Sequence, residues 1–180
     1  MNILGISAGF HDAAITLIND GEIKFAAHAE RYSKVKHDSE LNEAILTDCF
    51  DNHGEPTHLA YYERPWLKRT RQLYAGQYKA IFDPSIKTKL SNIWPREHMP
   101  SISYHGHHLS HAAAGFQTSP FEDATVVVID AIGEWDTASI WYAYYDNGKA
   151  KYKKLWSQKY PHSLGLFYSA MTKQIGRAHV

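Results

Sequence analysis

Two stretches of this chain carry the same order of strand signals, and this repetition constrains the fold more than any other feature. In the first, Asn2–Ala8 is a mostly apolar run with β-branched Ile3 and Ile6, and Ala13–Asn19 is a second run. Asp20-Gly21 then marks a hairpin, and Glu22–Ala27 reads as a third strand. In the second, Ala124–Asp130 is a continuous β-branched run ending in an aspartate, as in a buried central strand. A turn at Ile132–Trp135, a strand at Thr137–Tyr145, the tight turn Asp146-Asn147-Gly148 and a strand at Lys149–Gln158 complete it. Each set is followed by helical spacing: Leu41, Ala44, Ile45 and Cys49 within Glu40–His53, and Leu164, Phe167, Tyr168 and Met171 within Ser163–Gln174. Asp38 or Ser39 is the expected cap of the earlier helix.

Between the two sets, Thr57–Tyr62 reads as a strand and Trp66–Phe82 as a helix with a ragged apolar side. Pro84–Pro100 is broken by prolines, and Ile102–Tyr104 is a short strand. The expected class is α/β with mixed sheets. Two strand–turn–strand–hairpin–strand halves are what an actin-like, hexokinase-like ATPase core needs, with backbone N–H groups of each first turn facing phosphate. Two unrelated β-meanders are the plainer alternative. On the first view, residues 1–117 form one lobe and 118–176 begin the second.

Four histidines fall in seven residues, His105-Gly106-His107-His108-Leu109-Ser110-His111, ahead of good helix formers. At about 100° per residue, His107 and His111 share one helix face and can bind one metal ion. Alone they are half a site, and such a pair also simply caps and lines a helix start. His108 points to another side.

Nineteen basic and nineteen acidic residues cancel, so no global field argues for nucleic acid. The basic run Arg64–Arg71 reads as a solvated helix face, with a phosphate contact as the lesser reading. One cysteine, Cys49, forbids an internal disulfide and fits a cytoplasmic protein. The opening residues show neither a signal peptide nor a membrane span.

Five segments in order resemble one family. They are Ile3–Ala14, Glu30–Asp38, His107–Ala113, Val128–Trp135 and His162–Tyr168. The sequence is similar to the O-carbamoyltransferases of natural-product and nodulation-factor biosynthesis. The N-terminal domain of these enzymes is similar to the threonylcarbamoyl-transfer enzyme of tRNA modification. The resemblance implies a carbamoyl group moved from carbamoyl phosphate, by way of carbamoyl-adenylate made with ATP, onto a small-molecule hydroxyl of a sugar or natural product. It implies His107 and His111 as ligands of iron or zinc, with Asp130 beside the metal. His11 and Asp12, in the first turn where a phosphate or carbamoyl group would approach, are then read as catalytic, with a turn merely held by the Asp side chain as the alternative. Lys36 and His37 are read likewise, with a solvated loop as the alternative. Gly9, Gly133 and Glu134 are read as cofactor-binding, Gly133 letting the backbone approach a ligand closely.

The resemblance also implies a C-terminal adenylate-forming domain that is not in this chain. The chain corresponds to about the first third of such an enzyme and is expected to be inactive alone. Its last residues, 177–180, depart from the family pattern, and His179 is not read as a ligand. Two other readings remain: a half-domain that only binds a partner, and an actin-like sugar or acetate kinase. The oligomeric state is open.

Overall fold

The computed structural model describes residues 1–176, so the expectation for residues 177–180 lies outside the described residues. The fold is α/β, with one mixed and one antiparallel sheet. The chain forms two compact units. The first comprises Met1–Tyr62 and Phe82–His105, and the second comprises Glu63–Ile81 and the chain from Gly106 onward. The histidine helix thus belongs to the second unit, whereas the sequence reading ends the first lobe behind it, at residue 117.

In the first unit, β1 (Asn2–Ser7), β2 (Ala14–Asn19) and β3 (Glu22–His28) form an antiparallel meander. Asp20 and Gly21 both take positive φ, as the two-residue hairpin turn requires. β4 (His58–Tyr61) and β5 (Ile102–Tyr104) add in parallel beside β1, giving the order β3-β2-β1-β4-β5. Alternation along β1 and β2 buries Leu4, Ile6, Ile15 and Leu17 on one face. Ile45, Leu46 and Cys49 of helix α2 (Glu43–His53) pack in this core, with Ile86, Leu90 and Trp94.

The short α1 (Glu30–Ser33) follows β3. α2 starts three residues later than its spacing predicts, and its cap is Asn42, whose side chain accepts from the Ile45 N–H at 3.1 Å. The expected caps are occupied elsewhere. The Asp38 and Ser39 carbonyls each accept a 2.7 Å bond, from the N–H groups of Ala13 and Gly9, which holds this segment out of the helix.

In the second unit, α3 (Pro65–Tyr74) is followed by a separate 3₁₀ turn at Tyr78–Phe82 in place of one long helix. Gly76, at positive φ, ends α3. The first unit's α4 spans Ile86–Leu90. α5 (His107–Gln117) lays Ala112 against Val128 and Trp141, with Leu109 and Val126 beside them. These belong to the antiparallel sheet of β6 (Asp123–Gly133), β7 (Asp136–Asp146) and β8 (Lys149–Lys159), which pair in that order. Asn147-Gly148, both at positive φ, make the β7–β8 turn. β6 runs three residues past Asp130, through an irregular register between Ile129 and Gly133. β8 is an outer strand carrying five lysines: 149, 151, 153, 154 and 159.

α6 (Leu164–Gln174) is capped by Ser163, which accepts from the Leu166 N–H. Gly165 lies so close to β6 that an added Cβ would come within 2.6 Å of the Asp130 carbonyl oxygen and the Ala131 nitrogen. The stripe Leu164, Phe167, Tyr168 and Met171, expected to face the core, is exposed instead, as is Ile175 beyond it. The close approach at Gly165 turns a side with Ser169 and Thr172 inward.

Candidate metal centre

Two elements of the second unit bring His107, His111 and Asp130 together. The helical spacing places His107 and His111 on one side of the first turns of α5, and their Nε2 atoms lie 3.1 Å apart. Asp130 stands at the irregular stretch of β6, and its Oδ2 lies 2.9 Å from His107 Nε2. One donor atom from each of the three residues lies within 4.8 Å of the others.

The place of Asp130 is held from several sides. Its Oδ1 accepts from the Ala131 N–H at 2.6 Å. Ser163 Oγ donates to the carbonyls of Asp130 and Ala131 at 3.2 and 2.7 Å. Past the strand end, Glu134 turns the chain at φ 56°. Its Oε1 accepts from the Arg64 N–H at 2.6 Å, its carbonyl accepts from Arg71 Nε at 3.3 Å, and the Trp135 indole donates to Thr70 Oγ1 at 3.0 Å. The start and inner face of α3 thus grip the β6–β7 turn.

Electrostatics follows from these contacts. The hydrogen bond from His107 holds the Asp130 carboxyl down, at about 2, against the opposing effect of burial. Burial alone would lower the His107 pKa, but the carboxylates of Asp130 and Glu63 lift it to about 9. Burial, then the neighbouring His107, lowers that of His111. Without metal, a proton therefore sits between His107 and Asp130. Two imidazoles and an ionised carboxylate are borderline-hard ligands that suit zinc or iron, and metal binding would displace that proton. The donor set fits a divalent ion.

Other expected residues fall as follows. The space beside Gly133, reserved in the sequence reading for a ligand, is filled by the chain's own rings. A Cβ there would meet His107 Cδ2 at 2.5 Å and His108 Cδ2 at 2.6 Å. His108 is buried, with Nδ1 2.7 Å from Ser139 Oγ, which also accepts from the Trp141 indole at 2.7 Å. Burial holds the His108 imidazole neutral, with its pKa lowered to about 4. In the first unit, the Asp12 carboxylate bridges His11 Nδ1 at 2.8 Å and His37 Nδ1 at 3.0 Å. These two bonds hold its pKa below the usual range. The Gly9 N–H is bonded to Ser39, and Lys36 is exposed.

One residue escaped the sequence reading. Glu63, directly ahead of α3, is 4% exposed, and its Oε2 lies 3.9 Å from His107 Nδ1. Its Oε1 takes a 2.8 Å bond from Lys68 Nζ. The available signal was a carboxylate just outside a helix that starts with proline.

A cluster of two histidines and one aspartate on an α/β scaffold defines a class of site shared by many proteins. Residues 72–179 match the carbamoyltransferase N-terminus family, and the chain belongs to it. The chain is 32% identical to the uncharacterized protein sll1178 of Synechocystis sp., over 97% of this chain and 32% of that protein. It is 28% identical to the nodulation protein NolNO of Sinorhizobium fredii, over 92% of this chain and 25% of that protein. It thus spans a third or less of these two relatives. No helix among the described residues is long and apolar enough to cross a membrane.

Proposed function

We propose that this chain supplies the carbamoyl-transfer region of an O-carbamoyltransferase, on an actin-like core whose two lobes begin in the two units. The observation that carries this reading is the convergence of His107, His111 and Asp130, in a chain of the carbamoyltransferase N-terminus family. These three would hold a zinc or iron ion, which when bound supplies a Lewis acid for a carbonyl or hydroxyl oxygen. The donor is carbamoyl-adenylate, formed from ATP and carbamoyl phosphate in an adenylate-forming domain of the full-length protein.

The acceptor is a hydroxyl of a small sugar or natural product. Its oxygen attacks the carbamoyl carbon, the bond from that carbon to the adenylate phosphate oxygen breaks, and AMP leaves. His11 takes the hydroxyl proton. Asp12 holds the His11 Nδ1 side, which leaves Nε2 as the basic atom. The same carboxylate orients His37, and exposed Lys36 offers a cation to phosphate. The lone buried cysteine accords with a cytoplasmic protein.

The test is metal content. Wild-type chain incubated with Zn²⁺ and dialysed retains about one equivalent by elemental analysis, whereas His107→Ala and His111→Ala retain none. Equal metal in all three overturns the assignment. In a full-length protein the same substitutions abolish carbamoyl transfer and leave carbamoyl-adenylate formation intact.

A further inference from the structure

We infer that Glu63 is the positioning residue for His107, fixing the imidazole with Nδ1 toward the Glu63 carboxylate and Nε2 toward the other two ligands. This inference rests on the metal reading above. His107 Nε2 faces Asp130 at 2.9 Å and His111 Nε2 at 3.1 Å, so Nδ1 is the nitrogen turned away from the ligand cluster. Glu63 Oε2 lies on that side, at 3.9 Å from Nδ1.

The ring has little freedom to turn. One side of it rests against Gly133, where even a methyl group would come within 2.5 Å of Cδ2. A buried carboxylate is costly unless it is paired. Lys68 Nζ supplies the pairing charge at Oε1, at 2.8 Å, and Oε2 lies on the imidazole side. Histidine ligands whose second nitrogen faces a carboxylate are held in one tautomer and made more basic, and loss of the carboxylate weakens metal binding roughly 10- to 100-fold. Lys68, Glu63 and His107 form such a relay, drawn from the start of α3 and the first turn of α5.

The test uses Zn²⁺ alone, titrated in competition with a chromophoric chelator, on wild type, Glu63→Gln, Glu63→Ala and His107→Ala. A second readout is the long-range ¹H–¹⁵N spectrum of the histidines in zinc-loaded protein. Wild type shows His107 bound through Nε2 with its proton on Nδ1. Glu63→Gln, of the same shape, keeps this tautomer through its amide oxygen and binds zinc roughly tenfold more weakly. Glu63→Ala weakens binding further and loses the single tautomer. A residue serving stability alone would change the melting temperature and leave both the tautomer and the zinc affinity of the folded variants unchanged, and that result overturns the inference. If wild type binds no zinc, or binds it equally with His107→Ala, the metal reading itself fails. If wild type binds through His107 but both Glu63 variants match it, only the role of Glu63 fails.

Discussion

Gly133 shows how much one missing carbon can decide. It separates the rings of a proposed ligand and a buried histidine, and an alanine there must displace rigid imidazoles whose far sides are hydrogen-bonded. Gly133→Ala is expected to cost about 1–3 kcal/mol, as overpacking does, and to weaken Zn²⁺ binding. Gly115 is the control, because its Cβ position in α5 meets nothing within 4 Å. Gly115→Ala is expected to be neutral or to stabilise by about 0.5–1 kcal/mol. Urea unfolding of both variants checks this, and equal effects would refute the steric account. At this scale the proximity of His107 to His111 was legible, because helical spacing alone sets it. The nearness of Glu63 was not, since 44 residues separate it from His107 and no local period links them. Gly133 was legible as a close approach, but its partner was not: the chain's own His107 and His108 rings, rather than a ligand, fill the space.

Strands and hairpins were the most legible elements. Alternation of apolar residues and the Asp-Gly and Asn-Gly pairs act over a few residues, where tertiary context has little chance to intervene. Helix starts were less legible. Asp38, Ser39 and Asn42 are all good caps, and the choice among them falls to backbone bonds from Gly9 and Ala13, some 25 to 30 residues away. Asn42→Ala should therefore destabilise the first unit by about 1 kcal/mol, while Ser39→Ala, which removes no helix cap, should leave α2 intact. Thermal unfolding followed by circular dichroism separates the two. A loss at Ser39 as large as at Asn42 would mean the cap is wrongly placed.

For the whole molecule, the α/β class and the twofold strand plan could be read directly, since both rest on local signals. The division of the chain could not. α3 and α5 lie on either side of a first-unit segment in sequence, and their shared unit follows from packing on β6, β7 and the turn between them. The orientation of α6 was equally hidden, because its apolar stripe of Leu164, Phe167, Tyr168 and Met171 reads as a core face and stands exposed. A stripe of this size is an adhesive surface. The 180-residue chain is expected to bind the dye ANS and to associate with rising concentration. Phe167→Glu combined with Met171→Lys should lower both signals, measured by fluorescence and sedimentation. Unchanged association would locate the adhesive surface elsewhere.

The lysines of β8 give the second sheet a direction. β8 carries five ammonium groups, of which Lys154 is paired with Asp136 of β7, and a neighbour laid beside the other four would have to bring its own negative charge or suffer repulsion. β6, at the opposite margin, has no lysine or arginine from Asp123 to Gly133, and among the described residues only β7 pairs with it. One border is guarded by charge and the other is not, although the start of α6 lies against Asp130 and Ala131 at its far end. An additional strand would therefore meet less charge beside β6, along Asp123–Ile129, than beside β8.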